Sequence, residues 1–424
     1  MKLCYKMKGY TLHIIPTDKF KTTSISLRLQ NTLTKEETTI RTLLTFVLVS
    51  ATKKLPSTKD LASYLDENYG ARLSSHITTK GKSQIINIQT SFINDLYLQD
   101  NESLLEKQLS LLSDLFYDPF VSEGGFDDVI VKLKKKELIE RLQASKDDKF
   151  SYSLEKLFEY MGHNHTLGVS STGYEEDVLD ITSKQLYDYL QKCIREDEKH
   201  VYVVGNVNES IVDVFDQYLQ FPGHEHSYTS AYTYHNDKQD LLEIIEKQDI
   251  TQSKLNIGYT IDTCFNDDEH YAMTVFNAVF GGISQSRLFK KVREENSLCY
   301  FVSSSYDAFN GILIVNAGID ANAYKKAMSL IDEQLEDIQN GNISDEEIYV
   351  AKIMLENSLR KTNDEAGSMM TLAYNRDITG KKETSEEYIE KLLNVTKEQI
   401  VEVSKNVKKD TIFFLTGKEF YENN

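Results

Sequence analysis

Apolar and polar residues alternate along this chain with two periods, in a recurring order. QIINIQTSF (84–92) and ILIVNAGI (312–319) are short, β-rich runs, whereas SDEEIYVAKIMLENSLRK (344–361) sets Ile348, Ile353, Leu355 and Leu359 among charged residues. The first kind predicts strands and the second a helix. Adjacent strands interleaved with long helices predict an α+β fold, in which each half is a largely antiparallel sheet with helices packed on one face. TLLTFVLVSAT (42–52) predicts a buried helix, apolar nearly all round. At about ten apolar residues it is too short to span a bilayer, which takes roughly 20.

The pattern also repeats. DVLDITSKQLYDYL leads into HVYVVGNV, and KLLNVTKEQIVEVS leads into TIFFLTGK. Each helix opens with Thr-x-x-Gln, Thr182 to Gln185 and Thr396 to Gln399, a capping box. Upstream, an apolar helix at Leu43 to Val49 precedes ARLSSHITTKGKSQIINIQ, and one at Ala272 to Phe280 precedes CYFVSSSYDAFNGILIVNAG, with Gly81 and Gly311 at equivalent turns. Both matches fall in the same order, so two duplicated domains are expected: 1–220 and 241–424, joined by the polar, aperiodic linker 221–240.

Composition narrows the function. A net charge of -18 opposes phosphate backbones, so nucleic acid is not an expected partner. No long apolar span and no secretory signal pattern stand in the sequence, so a cytoplasmic protein without a membrane span is expected. Cys4, Cys193, Cys264 and Cys299 are far apart and read as reduced, buried small residues. His163 with His165 and His224 with His226 sit in loop-like sequence, too close for facing ligands on a helix. His270, after Glu269, is expected to be exposed or capping, and His13, His76, His200 and His235 carry no assigned function.

One series of segments identifies a resemblance: LHIIPTDKFKT, the helix ending SAT with KKLPS after it, LASYLDENYGARL, VYVVGNV, and above all SQSRLFKKVREENSLCYFVSSSY. Together they resemble the insulinase/pitrilysin family of zinc metallopeptidases, which includes the mitochondrial processing peptidase. The nearest likeness is to bacterial subunits that lack the zinc motif and are associated with aminopentanol modification of elongation factor P. Active members carry His-x-x-Glu-His on the first apolar helix, where two imidazoles one turn apart hold zinc and the Glu activates water. On this chain those positions are Thr42, Thr45 and Phe46, and the third ligand falls near Glu140 or Arg141. No metal is expected here.

The resemblance also implies what is kept. SRLF, then Arg293, then Tyr300 looks like the family's distal substrate segment, whose Arg and Tyr bind the substrate backbone and stabilise the transition state. Ser286 and Arg287 are expected to fix the helix start, with Gly281 and Gly282 allowing a tight turn. A chain with a dead first domain and an intact Arg-Tyr segment resembles one shell of a clamshell. The implied partners are a homologous subunit bearing the zinc motif, which would carry the zinc, and a peptide substrate. The competing expectation is a catalytically silent scaffold or chaperone-like subunit.

Overall fold

The computed structural model of the chain describes residues 2–98, 102–223, 228, 230–235 and 240–418. The expected linker 221–240 lies partly outside them. The chain forms two compact units, one of Met1–Ala144, Ser170–Tyr228 and Asn363–Asn375, the other of Ser145–Val169, Thr229–Thr362 and Arg376–Asn424.

The first unit is built on six strands: β1 (Leu3–Met7), β2 (Tyr10–Pro16), β3 (Thr22–Thr32), β4 (Arg72–Lys80), β5 (Ser83–Ile93) and β6 (Glu198–Gly205). Their spatial order is β1-β2-β6-β3-β5-β4, antiparallel except where β2 runs parallel to β6. In the second unit β7 (Leu242–Gln248), β8 (Ser253–Thr260), β9 (Cys299–Asp307), β10 (Ile312–Ile319) and β11 (Lys408–Gly417) take the order β9-β10-β8-β11-β7. There only β11 and β7 are parallel. Read from β4 and from β9, the two sheets share order and strand direction through five strands, so the duplication extends to topology. Gly81 (φ 56°) and Gly311 (φ 61°) close the equivalent hairpins in the left-handed region, which a residue without Cβ enters freely.

The helices that bear on function are α1 (Lys35–Leu48), α2 (Asp128–Asp147), α3 (Lys149–Met161), α4 (Ser183–Glu196), α5 (His270–Asn277), α6 (Asp345–Lys361) and α7 (Ala366–Thr379). Thr182 and Ser344 form complete capping boxes at the starts of α4 and α6, and Thr396 does the same for helix Lys397–Ser404. Alternation on β3 sends Ile25, Leu27 and Leu29 into a core shared with Leu43, Leu44, Val47 and Leu48 of α1 and with Leu186 and Leu190 of α4. In the second unit Leu255 and Ile257 meet Val275 and Phe276 of α5, Ile331 and Ile400 in the same way. On α6, Ile348 is buried, but Ile353 is 37% exposed and lies outside that core.

The opposite face of each sheet is covered too, by a segment from the other half of the sequence. In the second unit α3 lays Leu157 and Met161 on Ile312, Ile314, Phe413 and Leu415. Gly258 makes room: a Cβ there would stand 2.5 Å from the Met161 sulfur. In the first unit the covering segment is residues 366–375, and what it covers is polar. Tyr374 donates to Gln30 Oε1 at 2.8 Å, and Arg28 Nη2 donates to Thr371 Oγ1 at 3.1 Å.

Candidate functional site

α1 carries the positions where the resemblance places a metal motif. Thr42 and Thr45 are buried, and each hydroxyl donates to the backbone of its own helix, Thr42 to Thr38 O at 2.9 Å and Thr45 to Thr42 O at 2.8 Å. Phe46 offers no donor atom; the Arg141 guanidinium of α2 lies over its ring, 5.7 Å from the centroid. Glu140 is exposed beside Lys136 at 3.6 Å. Two hydroxyls engaged in their helix, a phenyl ring and a neighbouring cation do not fit a divalent metal, whose ligands are thiolate, imidazole or carboxylate. Among the described residues no group of three or more His, Cys, Asp or Glu could hold one.

The helix is also less apolar than its sequence suggests. Arg41 is enclosed in the core, its Nη2 2.6 Å from Asp197 Oδ2 and 2.7 Å from the Leu29 carbonyl, with Nη1 3.4 Å from Cys193 Sγ. Asn31 Nδ2 and Lys199 Nζ complete the hydrogen bonding of Asp197. α1 is thereby fixed to the entry of β6.

Arg293 and Tyr300 lie in the second unit, at the edge strand β9. Phe289–Glu295 winds as a π-helix, anchored by Leu288 and Val292 in the core. Arg293 is exposed and its guanidinium rests on the Phe289 ring, 4.7 Å from the centroid, a cation–π contact that fixes a long side chain. The chain then turns at Ser297 (φ 52°) and enters β9. Register shifts between Cys299 and Phe301, leaving Tyr300 without a partner on β10. Such bulges re-aim a side chain. Tyr300 is 81% exposed, not the half-buried aromatic that strand alternation alone suggests. Phe301 turns the other way, against Gly318 and Phe150. The Arg293 charge reaches the intervening strand start: burial pushes the Cys299 thiol up to about 11, and Arg293 opposes that rise.

Arg287 and Gly281 differ from expectation. Arg287 does not cap its own helix; Nε and Nη2 grip the two Glu347 oxygens at 2.7 and 3.1 Å, pinning the start of α6. Ser286, buried, accepts from Phe289 N at 3.4 Å. Gly281 serves a close approach instead of a turn, since a Cβ there would lie 2.7 Å from Ser304 N on β9.

Several histidines are also placed otherwise. His270 is buried, not exposed: Nδ1 lies 3.2 Å from Tyr306 Oη and Nε2 2.9 Å from Tyr388 Oη. Burial, aided by the Lys381 charge, lowers its pKa to about 3. His13 and His200 are buried against each other, Nε2 to Nδ1 3.1 Å, a contact that strand alternation on β2 and β6 places on one face but that needs the β2–β6 pairing to be seen. His163 and His165 are in a loop, His235 is exposed, and His224 and His226 lie outside the described residues. Cys193 and Cys264 are buried, whereas Cys4 is exposed and Cys299 half-buried.

The profile of the Peptidase M16 inactive domain matches residues 180–355. The chain is 37% identical over 416 residues to the probable inactive metalloprotease YmfF of Bacillus subtilis, covering 98% of this chain and 97% of that protein. A conserved protein from Enterococcus faecalis V583 has a crystal structure similar at TM-score 0.92 and 31% identity, across 99% of this chain and 100% of that one. A peptidase M16 inactive domain from Pseudomonas fluorescens matches at TM-score 0.81 over 98% of both chains; at 14% identity it speaks for the fold alone.

Proposed function

The chain belongs to the M16 metallopeptidase family as an inactive metalloprotease-like protein, and from that premise we propose that it is the non-zinc-binding subunit of a heteromeric cytoplasmic peptidase. It pairs with a homologous subunit bearing His-x-x-Glu-His, closes a peptide-degradation chamber, and donates Arg293 and Tyr300. The observation that carries this reading is the presentation of Tyr300. A strand bulge turns a phenol 81% into solvent within seven residues of an arginine held on Phe289, while α1 offers nothing to a metal. A scaffold has no need of two hydrogen-bond donors fixed and exposed in this way.

In this reading the partner supplies the metal and the water that it polarises. Arg293 holds the peptide backbone, and the Tyr300 hydroxyl donates to the carbonyl oxygen as negative charge develops there. Preorganised donors of this kind contribute about 100- to 1000-fold in rate. The net charge of -18 favours basic peptides.

The experiment is to purify the chain with a zinc-motif homologue and assay peptide cleavage by the complex. Arg293→Ala and Tyr300→Phe should slow turnover while the subunits still co-elute. Full-rate cleavage by the doubly changed complex would establish the rival, a catalytically silent scaffold.

A further inference from the structure

Arg28 stands in the middle of β3 on the polar face of the first sheet, 5% exposed. Among the described residues no carboxylate is bonded to it. Nε donates to Ser26 Oγ at 3.1 Å and Nη2 to Thr371 Oγ1 at 3.1 Å, and the guanidinium lies 4.5 Å from the ring centroid of Tyr374 and 5.5 Å from that of Tyr202. Among the described residues Nη1 has no hydrogen-bond partner, and it is not among the polar atoms sealed from solvent. Glu198, on the adjacent strand β6, is engaged by His200 Nε2 at 3.2 Å. Ring faces and hydroxyls attract a guanidinium but carry no net charge, and a buried cation is ordinarily paired with an anion.

The fold does not demand this charge. In the second unit the corresponding face, under α3, is filled by Leu157, Met161, Ile312, Ile314, Phe413 and Leu415. A second sign of uncompensated positive potential comes from His76 on β4, hydrogen-bonded to Asn87 Nδ2 at 3.0 Å. Its pKa is lowered, first by burial and then by the charges of Arg28 and Arg141. In a chain of net charge -18 this is a local reversal of sign.

We propose that Arg28, with Ser26, Asn87, His76 and Thr371 around it, is a binding site for a single carboxylate group. One guanidinium balances one negative charge, whereas a phosphate dianion would leave a second charge buried and unpaired. Nη1 is the donor left for it, and Arg28 is already held in place by Ser26 and Thr371. The site belongs to the first unit, and the proposal does not rest on the role of Arg293 and Tyr300.

The test uses the full-length chain. Thermal unfolding is followed in acetate, in chloride and in phosphate at matched ionic strength, and with an N-acetylated dipeptide as the free acid or the amide. Acetate and the free acid should raise Tm saturably, and chloride, phosphate and the amide should not. In Arg28→Gln the half-saturating concentration should rise about 10- to 100-fold. Should that variant not fold, the guanidinium resonances of 15N-arginine-labelled wild type, which should shift saturably with acetate and with the free acid but not with chloride or phosphate, decide instead. A rise in Tm that is equal for acid and amide, or equal in wild type and Arg28→Gln, overturns the proposal, as does an acetate effect no larger than that of chloride.

Discussion

Arg41 and Asp197 form an ion pair closed to solvent, Nη2 to Oδ2 2.6 Å, with side-chain exposures of 1% and 0%. Breaking one partner strands the other's charge in the core. Arg41→Met or Asp197→Asn should each cost about 3–5 kcal/mol of unfolding free energy. The double change Arg41→Met with Asp197→Leu should cost less than the sum. Urea denaturation of the three variants checks both statements.

His270 couples stability to pH. Its folded pKa of about 3 lies below the ordinary value of 6.5, so at intermediate pH the unfolded chain takes up a proton that the folded one refuses. The contribution is whole above about pH 6.5 and is lost as pH falls towards 3, at about 1.4 kcal/mol per unit. His270→Gln should flatten that part of the stability profile, measured by denaturant titration across the window. An unchanged slope would show that other groups set the acid response.

The stacking of Arg293 on Phe289 can be read through Cys299, without any partner protein. Removing the guanidinium takes away the charge that opposes the burial-driven rise of the thiol. Arg293→Ala should therefore slow alkylation of Cys299 several-fold at mildly alkaline pH. Phe289→Leu, which frees the guanidinium, should give an intermediate rate. Mass spectrometry of the Cys299 peptide separates it from the other three thiols.

The metal motif can be rebuilt on α1. Thr42→His, Thr45→Glu and Phe46→His together supply the missing donors, but Arg141 still presents a cation over position 46. Zinc bound per chain, by elemental analysis, should stay well below one in the triple variant. Adding Arg141→Glu, which exchanges the cation for a third ligand, should bring it to stoichiometry. No gain from the fourth change would place the third ligand elsewhere, with Glu140 the next position to test.

What could be read from residues alone was local. Thr182 with Gln185, Ser344 with Glu347 and Thr396 with Gln399 declare their helix starts, because donor and acceptor are three residues apart. Gly81 and Gly311 declare their hairpins because a left-handed turn position favours glycine at that one residue. The exposure of Tyr300 was not legible, since it depends on a bulge against β10. Nor was the burial of His270, whose partners Tyr306 and Tyr388 are 36 and 118 residues away. On β3, the alternation SISLRLQ reads as one wet face and one dry. Ser26, Arg28 and Gln30 are in fact enclosed, because a helix more than 330 residues downstream lies over them.

That long reach governs the order in which the molecule can be completed. A ribosome that has finished β6 has made every strand of the first sheet, yet the Tyr374 hydroxyl that donates to Gln30 has still to be made. The earlier half holds a debt of the opposite kind, because helix Lys149–Met161 emerges long before the apolar strands it is destined to shield. Cleaving the gene at the midpoint would yield two fragments, one with a polar sheet face uncovered and a surplus greasy helix, the other with one greasy sheet face left unsealed. Each should precipitate or recruit the other, and simultaneous expression of both should restore solubility.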